Sequence, residues 1–183
     1  MENFLPKNCF VAAICMLAVA PCGAAFAQED REVLFEGTGD YASAKVEQYK
    51  TVCSLLYIKG YQGFNFDIGK TVVTSQLALF SATDFGSNGG DLSLQLVTKE
   101  RDGPRTAEFG KSNLPQGYKR YSTSLGNLQI DLDDLERTFA FKLVDSAKPD
   151  AVLTVNFSDK LRDNALGALK SCVGNLETHW AAD

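Results

Sequence analysis

The placement of its cysteines constrains this chain more than any other feature. Of five cysteines, Cys9, Cys15 and Cys22 stand in an opening segment that reads as an export leader. A short polar head carries Lys7, an apolar run extends from Cys9 to Ala20, and Ala25-Phe26-Ala27 supplies the small residues at which a signal peptidase cuts. The run is too short for a retained anchor, which needs about 20 apolar residues, and Pro21 ends it early. Pro21 also fits poorly before a lipidated Cys22. Cleavage is therefore expected near Ala27/Gln28, with residues 1–27 removed as a signal peptide and 28–183 left as a single secreted β-rich domain. Cys53 and Cys172 are then the only thiols in an oxidising compartment, and two cysteines admit one pairing. They close a loop of about 120 residues, which in the chain-entropy model stabilises a fold by about 4 to 5 kcal/mol. Neither has a CxxC partner or a neighbouring histidine, so a structural disulfide is preferred to a reactive thiol or a metal ligand.

The formal charge of −5 belongs to the segment after the leader, because Glu2 and Lys7 cancel. No basic run is long enough to follow a phosphate backbone, so nucleic acid is not an expected partner. No second apolar stretch approaches membrane-spanning length, and no transmembrane segment is expected in the mature chain.

Most of that chain alternates with period two, the pattern of strands with one buried face. Thr51 to Ile58 places Cys53, Leu55 and Tyr57 on one side. Gly63 to Ile68 alternates cleanly, and Thr71 to Phe80 follows with Val73, Leu77 and Leu79 in one parity. Ser87-Asn88-Gly89-Gly90 marks a hairpin before Leu92, Leu94 and Leu96. Residues 101–119 break the rhythm with Asp102-Gly103-Pro104, Gly110 and Pro115-Gln116-Gly117, and read as the longest loop and the first place to seek a binding surface. Alternation resumes through Leu128, Ile130 and Leu132, then Phe139, Phe141 and Leu143. Lys148-Pro149-Asp150 turns the chain into a last strand, Val152 to Phe157.

Beyond Ser158-Asp159, an N-cap signal, the residues Leu161, Ala165, Leu166, Leu169, Cys172, Val173 and Leu176 recur at helical spacing. Cys172 lies on that apolar stripe, so the pairing with Cys53 would clamp helix to sheet. Residues 41–53 fit either a strand or a helix, with Ala44, Tyr49, Val52 and Cys53 along one side. The fold class expected is α+β, mainly β: an antiparallel sheet, as a sandwich or partly open barrel, with a C-terminal amphipathic helix packed on it.

Catalytic signatures are sparse. The only histidine, His179, sits near the end of the sequence beside Trp180, and neither a zinc site nor another metal site is expected. Asp131, Asp133, Asp134 and Glu136 form the densest carboxylate group, but Leu132 and Leu135 interrupt it and its spacing is not that of a calcium loop. These acids are expected to be solvated. Glycine-rich phosphate loops and a GxSxG elbow are both missing, and no cofactor is expected. Tyr57, Tyr61, Phe64, Phe66, Phe80 and Phe85 are expected in the core and in cross-strand pairs. Tyr118 and Tyr121 are the candidates for an exposed partner-contact surface, because tyrosine joins a large contact area to a hydrogen-bonding tip.

The closing strand Val152 to Phe157, followed by Ser158 and the Ala165-Leu166-x-Ala168-Leu169 helix, resembles the end of small periplasmic proteins of the invasion-associated locus B type, although the further cysteines of that family are missing here. The resemblance covers about 25 residues. It implies a non-enzymatic, β-rich envelope protein. Together these features predict a non-catalytic periplasmic or secreted module that binds a protein or envelope component through its loops. The alternatives are a small β-barrel carrier of an apolar ligand and, behind it, a hydrolase using the carboxylates around Asp131 to Glu136.

Overall fold

Period-two alternation becomes two antiparallel sheets, neither closed into a barrel. The computed structural model describes residues 31–39, 41–49, 51–69, 74–85, 91–98, 105–157 and 160–180; of these, the side chains of Asp91 and 177–180 are not described. The leader and its cleavage point, the Ser87 to Gly90 hairpin signal, Val73, the Ser158-Asp159 cap and the side chains of His179 and Trp180 lie outside the described residues. In chain order the strands are β1 (Glu32–Gly39), β2 (Ala42–Tyr49), β3 (Val52–Lys59), β4 (Gln62–Gly69), β5 (Gln76–Ser81), β6 (Asp91–Thr98), β7 (Arg105–Glu108), β8 (Gly110–Asn113), β9 (Lys119–Ser124), β10 (Thr138–Asp145) and β11 (Lys148–Asn156). The helices are α1 (Leu125–Leu128), α2 (Leu132–Arg137) and α3 (Lys160–Trp180). The larger sheet runs β1-β2-β3-β4-β5-β9-β8 and the smaller β11-β10-β6-β7.

Register puts the apolar residues of the larger sheet on one face. One cross-strand row reads Ala44, Tyr57, Phe64, Leu79, Tyr121, and the next reads Val46, Leu55, Phe66, Leu77, Thr123. The smaller sheet answers with Leu96, Phe141 and Val155 in one row and Leu94, Leu143 and Leu153 in another. The two sheets meet at an aromatic cluster. Phe64 lies 5.1 Å from Phe141 and 4.7 Å from Phe157, and Phe157 also meets Tyr57 at 6.1 Å. Tilted and edge-on rings of this kind add about 0.5 to 1.5 kcal/mol per pair beyond the area they bury.

The rest of that face, on β1 to β3, is covered by α3. Ala165, Leu166, Leu169, Cys172 and Leu176 are its buried stripe, the spacing read from the sequence. Gly37 on β1 permits the close approach: a Cβ there would stand 2.6 Å from a methyl of Leu161. Arg162 fastens the start of the helix to the smaller sheet, donating to the carbonyls of Glu136 and Thr138 while its guanidinium lies over the rings of Phe139 and Phe157. Lys170 pairs with Glu136. The disulfide Cys53–Cys172 joins β3 to α3 across 119 residues of sequence.

Two expectations need correction, and one open reading is resolved. Residues 101–119 are not one long loop, because Arg105–Glu108 and Gly110–Asn113 form β7 and β8 at the edges of the two sheets. The run through Leu128, Ile130 and Leu132 is not a strand. Ser124 caps α1 by accepting the Gly126 amide, Gln129 closes it in the left-handed conformation, and Asp131 and Asp134 form a reciprocal capping box for α2. Residues 41–53, open between helix and strand, are β2, a turn and the start of β3.

The disulfide yields a direct prediction. Cys53→Ala combined with Cys172→Ala should lower unfolding free energy by about 4 to 5 kcal/mol in the chain-entropy limit, less where the reduced unfolded state stays compact. Urea titration of the variant against the oxidised parent measures the loss, and thiol labelling of the unfolded parent without reductant should find no free cysteine.

Candidate functional site

Antiparallel hairpins bring every second turn of a sheet to the same end. In the larger sheet one such end gathers the β1–β2 turn, the β3–β4 turn, the exit of β5 and the β8–β9 connection, because Ala42, Lys59, Gln62, Ser81, Lys119 and Asn113 occupy one cross-strand row. Tyr41 sits in the first turn, Tyr61 in the second and Tyr118 just before β9. Tyr41 is 85% exposed and Tyr61 65%, the two most exposed large apolar side chains among the described residues. Tyr118 is half-buried. Its phenol is pushed up by burial, with nearby Tyr61 adding to the shift.

The turns are tied together by backbone. Gly60, at φ 60°, opens the two-residue β3–β4 turn, the position at which a type II′ turn calls for glycine. Its amide donates to the Tyr41 carbonyl at 2.8 Å, and the Ala82 amide donates to the Tyr61 carbonyl at 3.1 Å. Leu114 donates to the Tyr118 carbonyl at 2.7 Å around the single 3-10 turn of Pro115–Gly117. Tyr41 itself holds φ 58°. For a residue with a bulky side chain the left-handed region costs about 1 kcal/mol or more, and the exposed ring returns little burial to offset it.

Lys59 and Lys119 sit in the end row itself, whereas Arg120, one row in, donates to the Gln76 side chain at 3.4 Å, away from the turns. The ammonium of Lys119 donates to the side-chain carbonyl of Asn113 at 2.6 Å, a neutral partner that leaves its charge in place. Lys111 pairs with Asp84 at 2.5 Å.

Tyr121 is not part of this surface. It is 1% exposed and projects from β9 into the core, where its hydroxyl accepts the Phe85 amide at 2.7 Å and donates to the Phe85 carbonyl at 2.5 Å. Burial pushes its phenol up to about 12, opposed by the Phe85 amide and reinforced by Asp84. It is an internal clip that fixes the chain leaving β5. The contact surface expected at Tyr118 and Tyr121 thus keeps Tyr118 and gains Tyr41 and Tyr61. Tyr61 leaves the aromatic set expected in the core, where Tyr57, Phe64, Phe66 and Phe85 are buried and Phe80 is half-buried on the opposite face.

The carboxylates around Asp131 to Glu136 have structural partners. Asp131 accepts the Asp134 amide at 2.8 Å; Asp134 takes Arg105 at 3.0 Å and Arg137 at 2.9 Å; Glu136 faces Lys170, and Asp133 is exposed. Asp134 is buried rather than solvated. Burial pushes its carboxyl up, but hydrogen bonds from Arg105, the Asp131 amide and Arg137 outweigh that and hold it below the usual carboxylate range. A second polar cluster lies on the open face of the larger sheet, where Glu47 accepts from Arg31, Lys45 and Tyr49. Beside it Asp67 takes both oxygens' bonds from Asn65 at 2.8 Å and one from Gln76 at 3.0 Å.

No protein-family model matches the chain, and no curated protein or solved structure does so either. Among the described residues no helix is long and apolar enough to cross a membrane.

Two measurements separate these roles. Tyr41→Gly should leave stability unchanged or raise it by about 0.5 to 1 kcal/mol, since it relieves the left-handed strain and removes no buried surface. Tyr121→Phe should cost about 1 to 3 kcal/mol because both backbone groups of Phe85 lose a buried partner. Chemical denaturation of the two variants reads both signs.

Asp134 has its own signature. A carboxyl held low in the folded state contributes stability that is present above the unfolded pKa of about 4 and lost as pH falls through the folded value. Asp134→Asn should therefore cost about 1 to 3 kcal/mol at pH 7, and the gap from the parent should narrow below about pH 4. Thermal melts across pH 2 to 7 test this.

Proposed function

We propose that this protein is an exported, non-catalytic binding module that engages a component of the bacterial envelope through the tyrosine-bearing end of its larger sheet. The observation that carries the reading is Tyr41. A bulky residue held at φ 58° and 85% exposed costs the fold free energy and returns almost no burial. Such a residue is placed to meet something outside the molecule. Tyr61 and Tyr118 share its end of the sheet, and tyrosine is among the residue types that dominate binding energy at contact surfaces.

Other features support the setting. The Cys53–Cys172 disulfide fits an oxidising compartment, and the leader read from residues 1–27 directs export to the periplasm or beyond. The resemblance of the last strand and helix to invasion-associated locus B proteins points the same way. Asp131, Asp134 and Glu136 are engaged in caps and ion pairs and Asp133 points to solvent, which lends the hydrolase alternative no geometry. The carrier alternative fares similarly, because the central rings fill the space between the sheets with contacts to one another.

Photocrosslinking in living cells tests the reading. A benzophenone side chain introduced at Tyr41 or Tyr61 should deplete the free monomer band on irradiation, whereas the same label at Asp133, exposed on α2, should not. Equal depletion at all three positions, or none, would remove the proposal.

A further inference from the structure

We infer that β11 pairs with β11 of a second copy of this chain, antiparallel about a twofold axis at Thr154, so that two smaller sheets become one. The inference goes beyond the binding role proposed above and does not depend on it.

The first ground is a row of backbone groups turned away from the fold. β11 ends the smaller sheet, with β10 as its neighbour among the described strands. The Phe157 amide donates to the Phe139 carbonyl at 2.9 Å, and in the same register Val155 stands opposite Phe141 and Leu153 opposite Leu143. Antiparallel strands exchange bonds at every second residue. Phe157, Val155 and Leu153 therefore turn their amides and carbonyls to β10, and Asn156, Thr154 and Val152 turn theirs outward. Val152 and Asn156 are exposed and Thr154 is half-buried. Peptide groups alternating in this way are complemented by another extended strand.

The second ground is the contrast with the other sheet edges. β1 carries a bulge between Val33 and Phe35 and the acidic Glu36. β7 is packed by α1 and tied through Arg105 to the Gln129 carbonyl. β8 is four residues long, carries Lys111 and is followed closely by Pro115. These are the devices that keep strand edges from pairing. β11 has such devices at Lys148, Pro149 and Asp150, but from Ala151 to Asn156 it reads Ala-Val-Leu-Thr-Val-Asn, without charge, proline or glycine. A run of this kind, rich in β-branched residues, has the composition of a pairing strand.

The third ground is that the edge complements itself, which commits it to a second copy. About an axis at Thr154, Val152 meets Asn156 of the second copy, Thr154 meets its own equivalent, and Leu153 meets Val155. All three outward residues of each strand then exchange backbone bonds. On the core side the row Leu96, Phe141, Val155 runs on into Leu153, Leu143 and Leu94 of the second copy, so the buried apolar rows join end to end. On the outer side the exposed Val152 is covered by Asn156, and two threonines stand opposite each other, a favourable cross-strand pair. Pairing over Val152 to Asn156 is small beside the about 1,200 to 2,000 Å² of stable complexes, so the dimer is concentration-dependent.

Sedimentation equilibrium and cysteine trapping test the inference. The purified protein, with its disulfide formed, should pass from monomer to dimer between micromolar and millimolar concentration. Thr154→Lys, which sets like charges opposite each other at the axis, should weaken the dimer at least tenfold and leave the melting temperature of the dilute protein unchanged. Thr154→Cys should oxidise to a covalent dimer, because a hydrogen-bonded antiparallel pair holds its Cα atoms about 5.5 Å apart, within disulfide reach. Lys142→Cys, on the same outer row one strand further in, should not, since two strands would separate it from its equivalent. A parent that stays monomeric at millimolar concentration overturns the inference. So does a dimer that Thr154→Lys leaves as tight as the parent's, or equal crosslinking from positions 142 and 154. Crosslinks from Tyr41 and Tyr61 to other molecules in cells are unaffected by either result, so the binding role stands or falls separately.

Discussion

The larger sheet has an apolar face wider than any one partner covers, and the rest of the structure follows from how that face is shielded. Its core rows run from β2 across to β9, and each row exposes side chains that water would otherwise contact. The smaller sheet covers one region through Phe141 and Phe157, and α3 covers the strands from β1 to β3. Two unlike lids on one face leave a seam between them. Arg162 crosses it by bonding carbonyls at the α2–β10 junction and Lys170 by pairing with Glu136, while Cys172 ties α3 down to the larger sheet through Cys53 on β3. The covalent link sits on the strand and helix that no local contact would hold together during folding, since they are far apart in the chain.

The same arrangement explains why the carboxylates near Asp134 are structural. The chain must turn from the larger sheet at β9 to the smaller at β10 within the residues of α1 and α2. Such short helices cannot be held by their own propensity. They are held by caps, at Ser124 and in the reciprocal pair Asp131 and Asp134, and by Arg105, which reaches from β7 to the Gln129 carbonyl at 2.7 Å and to Asp134. An acid cluster in sequence is here the joint between two sheets.

How much of this could be read from the residues depends on how many sides of an element are buried. Strands β3, β4, β6 and β10 lie inside sheets, and their alternation marks the core face directly. α3 shows its full apolar stripe, and its placement of Cys172 opposite Cys53 follows from that stripe. Strands β7 and β8 lie at sheet edges and carry Arg-Thr-Ala-Glu and Gly-Lys-Ser-Asn, in which Ala107 is the single buried residue. An edge strand with one core position has no period to detect. α1 and α2 are too short for a helical period, and the apolar residues Leu128 and Ile130 imitate a strand by being two apart. Tyr121, just past the segment read as a loop, was not legible as a buried strand residue, because its place in the core depends on pairing with Leu79 across β5 and β9.

The surface at Tyr41 and Tyr61 was illegible for a different reason. Aromatic residues in a strand-rich sequence default to the core, and Tyr61 lies between two strands whose other rings are buried. What distinguishes it is its place after Gly60 in a two-residue turn, where a side chain projects beyond the sheet instead of across it. Tyr41 occupies the matching turn one hairpin earlier, in a conformation that glycine or asparagine would fill at lower cost. The angle costs the fold free energy that the exposed ring does not return, and a second exposed tyrosine stands two strands along the same sheet end.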